Sequence, residues 1–398
     1  MAKIEISRRF KRPVSSKNFI PEIDGLRFFA IFTVFLLHLN NYVGRSLNYN
    51  YYEGVRDVNS WSWFINRSGL GVEVFFAISG FIISLPFLKH YVLLSKKPSI
   101  STYFYRRLTR LEIPFLISCI LFYIGYLYSY DKDFGKEIGH FFATITYTHE
   151  FFYGKWAPFN PVTWSLEVEI QFYIVAPLLL KLIFKPKSAI ISFLIFLLFL
   201  SVPLIFRQYF YELLKSYHLH MSILIFLPYF LIGIAVAFLY IKYPSFFKKK
   251  NIIWDIIGVS SIYSLFYFAW RANQSYFCLS LFLFFISTFK GVLLNKIFNI
   301  KGIFLVGGMC YTLYLLHYPL IHFFGSFTLK IINSNNFITS YIFQLILISP
   351  FILGSCICYY LLIEKPCMDK NWPNKLHNKI KKYLNIKTII KNENTNTF

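Results

Sequence analysis

An arginine and a histidine lie eleven residues apart in the apolar stretch DGLRFFAIFTVFLLH. In an α-helix this spacing returns Arg27 and His38 to within about 20° of each other, roughly 16.5 Å apart along the axis. Ionisable side chains in hydrocarbon are costly and usually mark a functional site. The pair therefore predicts a site for a long substrate, with an anionic head near Arg27 and a reactive end near His38. The structural alternative makes Arg27 an interfacial cation and His38 a hydrogen-bonding core residue.

Carboxylates occur in two further apolar stretches. GLGVEVFFAISGFIIS contains Glu73, for which a cationic partner is expected in a membrane, whereas its glycines and Ser79 also suit close helix packing. TWSLEVEIQFY contains Glu167 and Glu169, which point to nearly opposite faces of a helix. At most one of them is expected to enter a helix-lined site, where a carboxylate can support a histidine in general-base catalysis, and an exposed loop carboxylate is the alternative.

Arginines cluster in FYRRLTRLEIPF, where Arg107 lies three residues and Arg106 four residues before Arg110, spacings that put guanidinium groups on one helical face. Guanidinium groups match phosphate geometry, so this face could hold a phosphorylated cosubstrate, although membrane topology alone would also place arginines here. In CYTLYLLHYPL, Tyr314 and His317 lie three residues apart on one helix, and either could be structural.

The composition determines what kind of protein must position these side chains. Of 398 residues, 56% are hydrophobic and 15% charged, against roughly 45–50% and 25% in soluble domains. The net charge is +23, and the lysines and arginines responsible for it occur in short clusters between apolar runs. This distribution fits membrane topology better than nucleic-acid binding. The six cysteines lack metal-ligand spacing, so no metal is expected.

We predict an all-α integral membrane protein, a polytopic bundle of about ten transmembrane helices. Counting Lys181 near the end of the fourth span, the termini and the connections on their side hold 30 of the 41 basic residues and the other connections hold 10, so both termini are expected in the cytoplasm. A basic segment (1–20) and a basic tail (368–398) flank the membrane domain (21–367), and the two long connections, 43–68 and 130–161, should lie on the outer face. The predicted spans cover residues 25–42, 69–88, 111–129, 162–184, 188–206, 219–241, 252–270, 275–289, 303–325 and 338–363.

Taken in order, these motifs resemble the acyltransferase 3 family, bacterial membrane proteins that acylate hydroxyl groups of glycans and related acceptors. The resemblance covers about residues 20–367 and includes Arg27 with His38, GVEVFFAISGFIIS, Arg107 with Arg110, WSLEVE and YTLYLLHYP. It implies that Arg27 and His38 are essential, that Arg107 and Arg110 belong to the acyl-donor motif, and that Glu169 is the acid of the motif beginning at Trp164. The sequence departs from the family pattern at Glu73, where Asp is usual, at Glu167, often Ser, and at Cys310, frequently Ser.

The resemblance implies an O-acyltransferase, with acetyl-CoA or another acyl-CoA as donor and no permanently bound cofactor. The donor would enter from the cytoplasm with its phosphates near Arg106, Arg107 and Arg110. His38, assisted by Glu169, would act as general base or transient acyl carrier toward a hydroxyl of a cell-envelope or exported glycan. The expected location is the bacterial inner membrane. The alternative is a transporter or flippase for a lipid-linked or polysaccharide substrate, because buried charges also mark translocation pathways.

Overall fold

The structure is a computed structural model. It describes residues 19–47, 61–186, 188–216, 218–269, 273–331 and 337–369, together with residues 372, 375, 378 and 381. Within these ranges the regular structure is entirely helical, as the hydropathy predicts. Most of the predicted N-terminal segment and basic tail, and much of the connection 43–68, lie outside the described residues.

The long helices follow one another along the whole chain, and the shorter ones lie between them. The long helices are α1 (Pro21–Ser46), α2 (Gly71–Leu93), α3 (Ile100–Ser129), α4 (Trp164–Phe184), α5 (Ala189–Ile205), α6 (Ile223–Lys242), α7 (Ile253–Phe268), α8 (Gln274–Lys290), α9 (Cys310–Ile331) and α10 (Phe337–Tyr359). The short helices are Trp61–Asn66, Phe134–Ile145, His149–Tyr153, Arg207–Lys215, Pro244–Lys248, Leu293–Phe298, Lys301–Gly308 and Lys365–Cys367, with 3₁₀ turns at Ser68–Leu70 and Pro161–Thr163 and a π-helical turn at Tyr360–Glu364.

Length and hydropathy make this a helical membrane protein that crosses the bilayer several times. Among the described residues, four helical segments are long and apolar enough to cross a membrane: Trp63–Leu93, α3, α6 and Phe337–Cys367. The number rises to six if each of two bent helix pairs is one span. By this criterion, the sequence prediction of about ten spans is supported only in its coarser form, a polytopic membrane protein.

Helix α3 begins well before the predicted span, because its start depends on capping rather than on hydropathy. Ser99 precedes the helix, and its side chain accepts a hydrogen bond from the Thr102 N–H, which satisfies an otherwise unpaired amide of the first turn. The arginines at 106, 107 and 110 therefore lie inside a continuous helix of 30 residues rather than at its start.

The span predicted over 303–325 is instead two helices that meet at an angle of 75°. The first, Lys301–Gly308, lies against α1 so closely that a Cβ added at Gly307 would lie 1.7 Å from the Asp24 carbonyl oxygen. The second, α9, begins where the Glu364 carboxylate accepts hydrogen bonds from the Thr312 N–H (3.1 Å) and hydroxyl (2.5 Å). A carboxylate at a helix N-terminus stabilises the unpaired amides there, so specific contacts stabilise the start of α9 at the bend.

Small residues allow the central helices to approach closely, as the sequence suggests. A Cβ added at Gly80 on α2 would lie 2.1 Å from the Phe230 carbonyl oxygen on α6, and one added at Gly233 would lie 1.8 Å from that of Ala77. Helix α1 contributes residues to two hydrophobic clusters. Its Leu26 belongs to the first cluster, which also contains residues of α2, α4, α6 and α8, and its Leu39 belongs to the second, which also contains residues of α3, α9 and α10. Side chains from both groups of helices can therefore meet beside α1.

Candidate active site

A cavity of about 1200 Å³ opens at the end of the bundle where α2 connects to α3 and extends to the first turns of α4. Residues of α1, α2, α3, α4 and α9 line it. Seven of the predicted site residues are among them: Arg27, Ser79, Arg106, Arg107, Arg110, Glu169 and Tyr314. Residues that are distant in the sequence thus converge on one cavity.

The lining of this cavity is strongly basic. Among the described lining residues, the carboxylates are Glu169 and Asp369, and Asp369 pairs with Lys375 at 2.5 Å. An excess of cations in a partly enclosed cavity attracts an anionic ligand. The basic lining residues are Arg27, Lys89, Lys96, Lys97, Arg106, Arg107 and Arg110.

Arg107 is held in place by two aromatic rings. Its guanidinium carbon lies 3.8 Å from the centre of the Tyr103 ring and 5.3 Å from that of Tyr173. It also donates a hydrogen bond to the Tyr103 carbonyl oxygen at 3.1 Å. The Tyr103 hydroxyl donates to the Tyr173 carbonyl oxygen at 2.9 Å, which links α3 to α4. Stacking on aromatic faces orients the guanidinium fork, so Arg107 presents its remaining donors in a defined direction.

Glu169 lies in the same cavity and accepts hydrogen bonds from two helices. The Ser79 hydroxyl on α2 and the Tyr173 hydroxyl on α4 both donate to its Oε1 atom, the latter at 2.5 Å. Sequence reasoning missed Tyr173, although it lies four residues after Glu169 and therefore on the same helical face. The two hydroxyls fix the carboxylate between α2 and α4, close to the stacked Arg107.

Glu167, two residues earlier, has a different surrounding. Its carboxylate accepts a hydrogen bond from the backbone N–H of Glu150 at 3.2 Å. Glu150 lies in the first turn of the short helix His149–Tyr153, whose N-cap residue, Thr148, makes no side-chain capping bond. The expectation that at most one of the two glutamates enters the site agrees with this arrangement, and Glu167 serves as a cap for a neighbouring helix.

We expect Glu167→Ala to lower stability and to leave catalysis by the folded protein nearly unchanged. Removing a capping side chain typically costs about 0.5–2 kcal/mol. The measurement is the midpoint of thermal unfolding of the solubilised protein, followed by size-exclusion chromatography, with activity normalised to folded protein. Glu169→Gln is the matched comparison and should lose activity instead. Equal losses of activity in both variants would contradict the assignment.

The segment that contains the capped helix His149–Tyr153 folds back onto the protein. The Glu150 carboxylate is buried and lies 3.1 Å from the Nε2 atom of His220. His140 and His149 share a hydrogen bond at 2.9 Å. Burial lowers the pKa of His149 to about 4, so this pair is neutral at pH 7 and stabilises the fold rather than carrying charge.

Arg27 and His38 both lie on α1, but they have different surroundings. Arg27 lines the cavity and forms an ion pair with Asp24 at 2.5 Å. His38 is not among the lining residues. Its half-buried ring lies 5.2 Å from the ring of His317 and 5.1 Å from that of Tyr318, measured between centroids. The helical spacing correctly places the two residues on one helix, whereas the neighbouring helices decide which of them contacts the cavity.

Tyr314 connects the two regions. It lines the cavity, and its hydroxyl donates to the Val162 carbonyl oxygen and lies 3.1 Å from the Ser165 hydroxyl. His317, one turn further along α9, contacts His38. The predicted Tyr314–His317 pair thus extends from the cavity wall to the His38 ring.

Glu73 and Trp164 lie outside the cavity lining. The Trp164 ring packs against Phe226 at 5.3 Å, at the contact between α4 and α6. One carboxylate oxygen of Glu73, Oε2, is buried and makes no hydrogen bond to a described residue. Glu73 interacts electrostatically with Arg207, and the Arg207 guanidinium donates a hydrogen bond to the Tyr229 hydroxyl at 2.8 Å. The expected cationic neighbour of Glu73 is therefore Arg207, without a direct ion pair among the described residues.

Within the described part of the chain, no group of three or more His, Cys, Asp or Glu side chains is arranged to hold a metal ion. The side chains that converge here instead suit an anionic ligand and proton transfer. In the cavity, arginines provide hydrogen-bond donors, and Glu169 with Tyr173 and Tyr314 provides groups that accept or donate protons, while His38 and His317 lie beyond Tyr314.

Comparisons with known proteins agree with this geometry. A family model described as "Acyltransferase domain" matches residues 20–361. The O-acetyltransferase OatA of Staphylococcus aureus (strain NCTC 8325 / PS 47) is 27% identical over 358 residues, covering 81% of this chain and 54% of that protein. The peptidoglycan O-acetyltransferase OatA of Listeria monocytogenes is 24% identical over 345 residues, covering 77% and 50%.

A shorter match links the chain to nodulation protein 10 of Rhizobium leguminosarum, 28% identical over 185 residues, covering 42% of this chain and 46% of that protein. The chain spans about half the length of the curated relatives it matches. No solved structure matches it.

Proposed function

The chain belongs to the acyltransferase 3 family, and we propose that it moves an acyl group, acetyl in the simplest case, from acyl-CoA to a hydroxyl of a cell-envelope or exported glycan. The observation that carries this proposal is the cationic cavity, whose wall continues through Tyr314 and His317 to His38. Relatives named as O-acetyltransferases support the reaction, and one named for peptidoglycan supports a glycan acceptor. None of them favours the transporter alternative.

The proposed topology has about ten spans, with both termini and the cavity mouth on the cytoplasmic side of the bacterial inner membrane. Two contacts support a common side for the start of α1, the end of α8, the tail and the cavity mouth. The Glu22 carboxylate in the first turn of α1 accepts a hydrogen bond from Asn295, just after α8, at 3.0 Å. The Trp372 indole N–H in the tail donates to the Thr109 carbonyl oxygen, near the cavity mouth, at 3.0 Å. The excess of basic residues on this side agrees with the positive-inside rule.

In the proposed donor complex, the phosphates of acyl-CoA bind at the basic lining around Arg106, Arg107 and Arg110. Charge-assisted hydrogen bonds between arginine and phosphate are strong, and the Tyr103–Tyr173 stack pre-orients Arg107 for one of them. Arg27 lies about 16.5 Å along α1 from His38, so an extended thioester arm that passes Arg27 would bring the acyl group toward the histidine. Glu169, bonded to Ser79 and Tyr173, belongs to this donor region.

His38 then serves in one of two ways. As general base, a ring nitrogen of His38 takes the proton of the acceptor hydroxyl while the hydroxyl oxygen attacks the thioester carbonyl. The CoA thiolate then leaves and takes that proton from His38. As acyl carrier, the ring nitrogen attacks the thioester and releases CoA thiol, after which the acceptor hydroxyl attacks the acyl-imidazole and regenerates His38. Both routes produce the same ester and the same thiol.

Purified protein in liposomes tests this function directly. With acetyl-CoA and a hydroxylated glycan supplied together, we expect CoA thiol release that depends on the acceptor, and mass spectrometry should find an acetyl increment on the glycan. Glycans from a deletion strain should lack the increment, and a complementing gene should restore it. Movement of glycan across the membrane without any acyl transfer would overturn the proposal in favour of a transporter.

A further inference from the structure

His317 is buried on α9, with 1% of its surface exposed, and its protonation is set by the backbone. Its Nδ1 atom lies 2.9 Å from the Leu313 carbonyl oxygen and 3.0 Å from that of Tyr314. A carbonyl oxygen only accepts hydrogen bonds, so Nδ1 must carry the proton in both contacts. In the neutral ring the other nitrogen, Nε2, therefore carries a lone pair.

That Nε2 atom is buried and makes no hydrogen bond to any residue that the structure describes. A buried acceptor without a donor is unfavourable, and each such group in a native protein requires an explanation. Since the atom is covered, a substrate cannot reach it unless the surrounding side chains move. A donor from a neighbouring side chain is the simplest partner.

The neighbouring ring is His38, which forms no hydrogen bond through its side chain to a described residue. The two ring centroids are 5.2 Å apart, with the planes tilted by 48°. Elsewhere in this protein, His140 and His149 have centroids 5.1 Å apart, and their nitrogens form a hydrogen bond at 2.9 Å. The centroid separation of His38 and His317 is thus close to that of a hydrogen-bonded imidazole pair in the same protein, so a turn of the His38 ring would bring one of its nitrogens toward Nε2 of His317.

We propose that His317 is a positioning residue for His38, accepting the N–H of one ring nitrogen so that the other presents its lone pair to the reacting group. The proposal rests on the proposed function, because it assigns His38 a reacting nitrogen. The Tyr318 ring stands edge-on to His38 at 88° and limits the orientations that the imidazole can take. A histidine whose second nitrogen is hydrogen-bonded has a defined tautomer, as a base or nucleophile requires.

Two substitutions separate positioning from packing. His317→Gln retains an amide oxygen at about the position of Nε2, whereas His317→Leu fills the space without an acceptor. We expect His317→Leu to lower kcat at least tenfold, which corresponds to about 1.4 kcal/mol, with little change in the KM for acyl-CoA. His317→Gln should retain most of kcat. His322→Leu is the matched control, since the His322 ring contacts Tyr42 and Tyr318 rather than His38.

A second readout does not depend on activity. In ¹⁵N-histidine-labelled protein in bilayers, with the His38 signals assigned by their loss in His38→Ala, His38 should show one tautomer in the wild type and a mixture in His317→Leu. An unchanged kcat, equal kcat losses in the Leu and Gln variants, or an unchanged tautomer in His317→Leu would overturn the positioning role. Absence of acyl transfer by the wild type would instead refute the proposed function, and the tautomer measurement would still decide whether His317 orients His38.

Discussion

Replacing His38 with alanine is expected to lower acyl transfer by about 10²–10⁴-fold, the usual contribution of a general acid–base group. The protein should still fold and insert, because the His38 side chain is only half-buried and makes no hydrogen bond to a described residue in this structure. If His38 instead carries the acyl group, the loss should be at least as large. The measurement is acceptor-dependent CoA release by purified protein in liposomes.

The control for this variant is His322→Ala, a histidine substitution in the same region of the bundle that does not remove a ring contact to His38. Both proteins should be recovered from the membrane in similar amounts and elute as a single peak in size-exclusion chromatography. Normal glycan acylation in cells that produce only the His38→Ala protein would contradict the proposed mechanism, whichever of its two routes is considered.

Arg107→Ala should raise the KM for acyl-CoA by roughly 10–100-fold, since hydrogen bonds to charged groups are worth about 1.5–3 kcal/mol. Arg107→Lys should recover only part of this loss. Lysine keeps the charge but lacks the planar fork that stacks between Tyr103 and Tyr173. Initial rates measured over a range of acyl-CoA concentrations, at low and at high salt, test both expectations.

Lys132→Ala provides the matched control, because Lys132 is an exposed cation outside the cavity lining. Its removal should leave the KM for acyl-CoA unchanged. If Arg107→Ala and Lys132→Ala changed the KM equally, only the overall charge would matter, and the specific donor site at Arg107 would be wrong. A fall in kcat with constant KM would instead place Arg107 at the reacting group.

Local periodicity was sufficient to predict several parts of the cavity. The three- and four-residue spacing of Arg106, Arg107 and Arg110 predicts a shared helical face, and all three line the cavity. Similarly, the two-residue spacing of Glu167 and Glu169 predicts that they diverge, and one caps a short helix while the other lies in the cavity. Such predictions succeed because helical geometry depends only on the nearest residues.

Other features depended on contacts between distant segments and could not be predicted in this way. Hydropathy gives no reason for a break after Gly308, which depends on the close approach of Gly307 to α1 and on the Glu364 carboxylate from the other end of the domain. The start of α3 was placed too late because a hydropathy window excludes the charged turns that a Ser99 cap can begin.

The sequence by itself determined the protein class, its helical character and the faces on which its ionisable residues lie, since composition and helical spacing are local properties. It also placed Arg27 and His38 on one face of one helix. Only the tertiary structure decided that Arg27 lines the cavity while His38 lies beside His317, and that Ser79 and Tyr173 both bind Glu169. These pairings depend on how closely neighbouring helices pack. Glycines and capping residues from distant parts of the chain control that packing.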